Sequence, residues 1–256
     1  MSLHIESSGT GADLVLLHGW AMHGGVWRGI RERLAHHFRL HLVDLPGHGF
    51  SPATGPGTLE RMVEMVADIL PAGCLLCGWS LGGQVAIELA LREPARVRKL
   101  ALISTTPCFV RRKDWHWGMD AATLQLFMRN LKRDYTTTLN RFLTLQVSGS
   151  GNNAAVLAQL RESFFQRGQP DEAGLQTGLQ ILLTSDLRGR VSNITQQALL
   201  LHGEDDVIIS PGAAKWMHRQ LQNSALIMFP RCGHAPFLSY PDQFVTSMVR
   251  LFHGSS

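Results

Sequence analysis

The feature that most constrains this chain is a set of short runs that are apolar almost throughout, rather than at every second residue. They fall at 13–17, 40–45, 74–77, 97–104, 198–202 and 225–229. A strand with one wet face alternates apolar and polar side chains; a strand covered on both faces does not. Between the runs, apolar residues recur every three or four positions, the period of a helix with one face on a core. Trp27, Ile30, Leu34 and Phe38 carry that period through 27–37. Met62, Val63, Val66, Ile69 and Leu70 carry it through 59–70, with Thr58 as N-cap. Residues 83–91 read as a further helix, 211–221 as another opened by Pro211, and 241–252 as a closing one, with 253–256 fraying. Doubly covered strands alternating with helices predict an α/β fold with a mostly parallel central sheet and helices on both faces.

The rhythm changes between 111 and 186. This stretch has no good strand and four sets of helically spaced apolar residues. They are Leu124, Phe127, Met128 and Leu131; Leu139, Phe142, Leu143 and Gln146; Leu157, Leu160 and Phe164; and Leu175, Leu179, Leu182 and Leu183. So many short helices between two strands predict a helical lid at 111–186, over a core formed by 1–110 and 187–256. The segment is too thin to build a core of its own.

Composition removes several function classes. Lys and Arg number 24 against 20 Asp and Glu, a formal charge of +4, and no aromatic-basic interleaving appears, so nucleic acid is not an expected partner. No apolar run is long enough to span a bilayer, and 1–6 do not resemble a signal peptide, so a cytoplasmic monomer without membrane attachment is expected. Cys74 and Cys77 sit three apart on a strand and face opposite sides; they read as small buried apolar residues. The 12 histidines form no H-E-x-x-H and no second cysteine pair exists, so neither a metal nor an organic cofactor is expected.

Chemistry enters at Gly78-Trp79-Ser80-Leu81-Gly82. A serine between two glycines is weak by itself. Here it stands between a buried strand and a helix, the context of a nucleophile elbow. A serine hydroxyl needs a base to take its proton, and the base needs a third group to hold its tautomer. In such a fold the partners follow in the order serine, acid, histidine, each in a turn after a later strand. His234 follows the last apolar run. Asp206 follows the run before it, three residues after Gly203, although spacing alone leaves Glu204 and Asp205 open. Backbone N–H groups of Leu81 and Trp20 are the expected oxyanion donors. His18 reads as a hydrogen-bonding scaffold residue of the Trp20 loop, and Asp44 with the 46–49 turn as scaffold too.

Taken together, His18-Gly19-Trp20, Asp44-Leu45-Pro46-Gly47-His48-Gly49, Gly78-Trp79-Ser80-Leu81-Gly82-Gly83 and Gly233-His234-Ala235-Pro236-Phe237 resemble the α/β-hydrolase superfamily. More narrowly, residues 16–20, 41–47, 78–83, 107–109, 141–146, 178–182, 186–188 and 234–237 resemble the pimeloyl-[acyl-carrier protein] methyl ester esterases of biotin synthesis. That resemblance implies a Ser80–His234–Asp206 carboxylesterase. It also implies substrate contacts at Trp20, Ser80, Leu81, Phe142, Leu143, Thr144, Leu145, Gln146 and His234. Its implied partner is acyl carrier protein bearing the pimeloyl methyl ester, met in part by Arg141. Residues 151–156 lack the positive charge expected there, and Arg129, Lys132, Arg133, Arg161 and Arg167 are the basic residues that stand in for it. Without the resemblance, the residues equally suit a generalist short-chain carboxylesterase or a C–C bond hydrolase. A non-catalytic binding protein of this fold would have lost a triad member.

Overall fold

The computed structural model describes residues 2–53, 57–149, 152–167 and 171–253. Among them the strands are β1 (Ile5–Ser8), β2 (Ala12–Leu17), β3 (Phe38–Val43), β4 (Cys74–Trp79), β5 (Val97–Ile103), β6 (Gln197–Gly203) and β7 (Ser224–Phe229). They form one sheet in the order β1-β3-β2-β4-β5-β6-β7. Every neighbouring pair is parallel except β1 with β3. All of β4 is buried, and Leu14, Leu16, Leu75 and Leu76 have no exposed surface. Taking one such leucine out of water contributes about 2 kcal/mol. The cysteines at 74 and 77 are buried and free.

The helices are α1 (Arg28–Ala35), α2 (Leu59–Ala67), α3 (Leu81–Arg92), α4 (Ala121–Arg133), α5 (Tyr135–Val147), α6 (Asn153–Phe165), α7 (Glu172–Thr184), α8 (Pro211–Gln220), α9 (Pro236–Ser239) and α10 (Pro241–His253). Helices α4 to α7 are inserted between β5 and β6. The two ends of the insertion meet: Leu187 N–H donates to Pro107 C=O at 2.8 Å, and Cys108 bridges to Asp186. Polar caps start several helices as the sequence implies. Thr58 accepts from Arg61 N–H, and Ser210, just before Pro211, accepts from Gly212 N–H.

Some boundaries differ from the sequence reading. Helix α2 stops at Ala67 rather than Leu70. Ile69 and Leu70 instead donate to carbonyls three residues back, because Pro71 disfavours helical backbone at the residue before it. Phe38 begins β3 and does not extend α1, and β3 ends at Val43, which leaves Asp44 and Leu45 in the following turn. In α6 the buried stripe is Val156, Leu160 and Phe164, one position off Leu157. Strand β1 and helix α9 escape the sequence reading: β1 is an edge strand with one apolar residue, and α9 has four residues. Gly151 and residues 254–256, for which fraying is expected, lie outside the described residues, while His253 ends α10.

The strand order matters for function. The chain runs from β2 to one side, into β3, and from β4 to the other, into β5. The loops leaving β2 and β4 therefore part company, opening a crevice at the carboxyl ends of these adjacent strands. The loop after β2 carries Trp20; the turn after β4 is Ser80. Backbone strain collects at the same edge. Among the described residues, the non-glycine positions with positive φ are Ala21 after β2, Ser80 after β4, Ser104 after β5 and Arg231 after β7.

Candidate active site

Ser80 has φ 54° and ψ −116°, between the last residue of β4 and the first of α3. Such a conformation costs about 1–3 kcal/mol and persists only where its surroundings fix it. Here they do. Ser80 N–H donates to Ile103 C=O at 2.9 Å, and its C=O accepts from Gly83 N–H at 2.9 Å and Thr105 Oγ1 at 2.7 Å. The elbow also brings α3 against β4: a Cβ on Gly78 would lie 2.3 Å from Gly82 O. The side chain of Ser80 makes no helix-capping bond and is 7% exposed. Leu81 is the first residue of α3, so its N–H belongs to the unpaired, electropositive end of that helix.

His234 lies between β7 and α9 and is held at both backbone atoms. Its N–H donates to Gln146 C=O and its C=O accepts from Trp79 Nε1, each at 2.8 Å. Its Nδ1 is 2.7 Å from Asp206 Oδ2. The other carboxylate oxygen, Oδ1, accepts from the N–H groups of Ile208 (2.9 Å) and Ile209 (3.0 Å). His202 Nε2 stands 3.3 Å from Oδ2 while bonding Ile209 C=O at 2.9 Å. Burial by itself would raise Asp206. The attraction of His234 and the hydrogen bonds from His202 and His234 outweigh it, and hold the carboxyl well below the usual carboxylate range. An ionised Asp206 accepts only, so Nδ1 of His234 carries the proton and Nε2 is the acceptor. Nε2 is buried and makes no hydrogen bond among the described residues, to Ser80 included. Glu204 and Asp205 are exposed, so of the acids that spacing left open, Asp206 is the one that meets the histidine.

The Trp20 loop closes against this pair. Met22 N–H donates to Gly19 C=O at 3.2 Å with Ala21 at φ 64°. A Cβ on Gly19 would come within 3.2 Å of Ser80 Cβ, so the loop lies on the elbow. The Trp20 indole N–H donates to Leu175 C=O on α7 at 2.8 Å. Its ring meets Phe142 and Phe127 edge-on, with centroids 4.9 and 5.5 Å away. Leu143 and Gln146 are buried, and both amide atoms of Gln146 are unpaired. Thr144 and Leu145 are exposed, with Thr144 Oγ1 bonded back to Asn140 C=O. The expected contact segment 142–146 is divided by burial. It is helical, and a helix does not show five successive residues to one side; Phe142, Leu143 and Gln146 turn inward. Arg141 is exposed, as are Arg129, Lys132, Arg133 and Arg161. Arg167 corrects the sequence reading: its guanidinium is paired to Asp44 and Glu6 and 7% exposed, so it does not supply surface charge.

The scaffold histidines are fully engaged or deeply buried. His18 Nδ1 donates to Gly19 C=O at 2.8 Å and Nε2 accepts from Leu45 N–H at 2.9 Å, which leaves no nitrogen for base work. His48 donates through Nδ1 to Pro46 C=O at 3.0 Å, and burial lowers it to about 4. The unfolded chain therefore takes a proton at His48 before the folded one does. Above about pH 6.5 both forms are neutral and stability is whole; between about 6.5 and 4 stability falls, by up to about 3 kcal/mol from this residue. Urea midpoints at pH 7.5 and 4.5 check this. The drop should be smaller in His48→Gln than in wild type, and equal drops would contradict it. The sequence reading missed Trp79, His202 and the Gln146 carbonyl as supports of the His234–Asp206 pair. Trp79 was visible beside the serine, but only the fold shows that its indole reaches His234.

The family described as the alpha/beta hydrolase fold matches residues 14–241. The chain belongs to the α/β-hydrolase family. This hydrolase is 58% identical over 257 residues to a pimeloyl-[acyl-carrier protein] methyl ester esterase of Nitrosospira multiformis, covering 98% of each chain. A protein of the same name from Nitrosomonas europaea is 59% identical over 245 residues, 96% of this chain and 97% of that one. One from Aeromonas salmonicida is 40% identical over 256 residues, 99% and 100% of the two chains. Among solved structures, an esterase from Exiguobacterium antarcticum superposes with a TM-score of 0.91 at 24% identity, over 98% of this hydrolase and 96% of that chain. A bromoperoxidase from Bacillus anthracis reaches 0.92 at 19%, over 98% and 95%. At those identities the likeness speaks for the fold alone.

Proposed function

We propose that this hydrolase is a serine carboxylesterase that cleaves the methyl ester of a pimeloyl chain borne on acyl carrier protein, releasing methanol and the free ω-carboxylate in biotin synthesis. The observations that carry the chemistry are the His234–Asp206 pair, whose Nε2 has no partner among the described residues, and the strained serine at the start of α3. The substrate assignment is supported by the name shared by relatives 58% and 59% identical over nearly the whole chain.

Ser80 Oγ attacks the ester carbonyl as His234 Nε2 takes its proton. The N–H groups of Leu81 and Trp20 receive the oxyanion. Collapse of the tetrahedral intermediate expels methoxide, which leaves as methanol with the proton from His234. Water then attacks the acyl-serine, again losing its proton to His234, and the acid departs. Asp206 holds the ring in its acceptor tautomer and balances the charge the ring acquires. These steps use side chains, backbone N–H groups and water.

Helices α4 to α7, within 111–186, act as the lid over the core of 1–110 and 187–256. The Trp20 ring with Phe127, Phe142 and Leu143 gives the acyl methylenes an apolar wall, and Gln146 offers it a polar end. Exposed Arg141, with Arg129, Lys132, Arg133 and Arg161, meets the acidic carrier. The enzyme acts as a cytoplasmic monomer; no described helix is long and apolar enough to cross a membrane.

The test is turnover of carrier-bound pimeloyl methyl ester beside an acyl-length series of simple esters. Methanol and free acid should appear in equal amounts, with kcat/KM at least about tenfold above the best simple ester, the discrimination expected of about 1.4 kcal/mol of extra transition-state contact. Brisk hydrolysis of simple esters with none of the carrier-bound one would leave a generalist carboxylesterase instead.

A further inference from the structure

Arg167 lies two residues past the end of α6 and reaches back into the core. One arm of its guanidinium pairs with Asp44, whose side chain is wholly buried; the other pairs with Glu6 on β1. The Phe50 ring lies 5.0 Å from its central carbon and lids the pair. An ion pair between α6 and α1 makes the contrast. Arg28 and Glu162 meet at 2.8 Å, but both side chains are about two-thirds exposed (67% and 66%). An exposed pair of that kind contributes little, whereas removing one member of a buried pair strands a charge.

Asp44 is the junction. Its Oδ1 accepts from Gly24 N–H at 2.6 Å, and its Oδ2 accepts from Phe50 N–H at 2.9 Å as well as from Arg167. Gly24 opens a 3-10 turn, Gly24–Trp27, in the segment after β2 that carries Trp20. A parallel tie joins the same two segments: His23 Nε2 donates to Ser163 C=O on α6 at 2.6 Å, while its Nδ1 accepts from Gly25 N–H at 3.0 Å. The lid end and the Trp20 loop are thus fastened twice, once through a buried charge. The Arg167 tie runs through two buried side chains, its own and that of Asp44, before it reaches the Gly24 N–H.

We infer that Arg167 is a positioning residue for ester hydrolysis: by closing on Asp44 it locks the end of α6 to the loop that presents the Trp20 N–H, so the oxyanion donor is in place when the inserted helices are seated. The inference rests on the proposed role of Trp20. Without Arg167, the Asp44 carboxylate keeps its N–H donors but loses its counter-charge, and the loop it holds relaxes. Small displacements of this kind remote from the reacting atoms cost catalysis rather than binding.

Steady-state kinetics on p-nitrophenyl acetate test this without the carrier. Arg167→Met should lower kcat by about 10- to 100-fold, short of the full loss of an oxyanion donor, with KM changed by less than about threefold. Arg167→Lys should fall between, because it keeps the charge but not the two-armed geometry. Adding Asp44→Asn to Arg167→Met should recover part of kcat by removing the stranded charge. Glu162→Gln, which breaks only the exposed pair, should stay within about twofold of wild type. The inference is overturned if Arg167→Met keeps kcat within about twofold, or if its loss lies only in KM or in the thermal midpoint. Should Arg167→Met fail to fold, Arg167→Lys decides: a lower kcat at an unchanged midpoint supports the role and an unchanged kcat refutes it. Failure of the esterase reading has a different signature, a Ser80→Ala protein as active as wild type.

Discussion

Replacing Ser80 with alanine should lower kcat for methyl-ester hydrolysis by about 10⁶, the scale on which triad enzymes lose activity when the nucleophile goes. The size follows from the site. In the proposed mechanism His234 and Asp206 act only through the Ser80 oxygen, so without it they have nothing to activate, and what remains is binding and the oxyanion donors. Alanine keeps the Cβ, and the three backbone hydrogen bonds that fix the elbow do not involve Oγ. The variant should therefore fold and unfold like wild type. Stopped assays of methanol release on both proteins, with thermal melts alongside, check the two halves of this expectation. A Ser80→Ala protein within tenfold of wild type would mean that another group attacks the ester.

Asp206→Asn should cost about 10⁴ in kcat with little change in KM, as expected when the base is left in the wrong tautomer. The amide oxygen can still accept from Ile208 and Ile209, so the turn should survive. That leaves the amide N–H₂ facing His234 Nδ1, at the position where Oδ2 now accepts at 2.7 Å. A donor there requires Nδ1 to be the acceptor, which moves the proton to Nε2 and removes the lone pair that should receive the Ser80 proton. His202 Nε2, 3.3 Å from the same oxygen, loses that contact and keeps its 2.9 Å bond to Ile209 C=O. Steady-state kinetics over the neutral range measure this. Because Asp206 is held well below the usual carboxylate range, no protonation of the wild-type residue near neutrality should mimic the variant. Full activity in Asp206→Asn would move the acid role elsewhere.

Much of this was written in residue spacing. Doubly buried strands announce themselves because Leu14 to Leu17 or Cys74 to Cys77 have no polar residue to turn outward, and the helices between them carry one apolar stripe. The site was partly legible for the same reason. Strand ends predict where loops gather, and Ser80, Asp206 and His234 each follow one. Edge strand β1 was silent because an edge needs little apolar surface. The resemblance over Phe142 to Gln146 does not say which of these residues turn inward, because it works by position along the chain while burial works by helical face. Thr144 and Leu145 point outward although their neighbours point in. Arg167 misled most: a lid arginine in sequence looks like surface charge, and its burial depends on Asp44 and Glu6, distant in sequence and brought to it by the fold.

The strained turn at Ser80 is where sequence, fold and chemistry meet, and fluorophosphonate labelling addresses it most directly. The probe bonds to an activated serine, and peptide mass spectrometry locates the adduct while methanol release from the carrier-bound pimeloyl methyl ester is followed in the same sample. One adduct per chain, on Ser80, rising in step with the loss of turnover, is the predicted result. Full labelling of Ser80 with turnover intact, or complete inactivation with Ser80 unmodified, would contradict it.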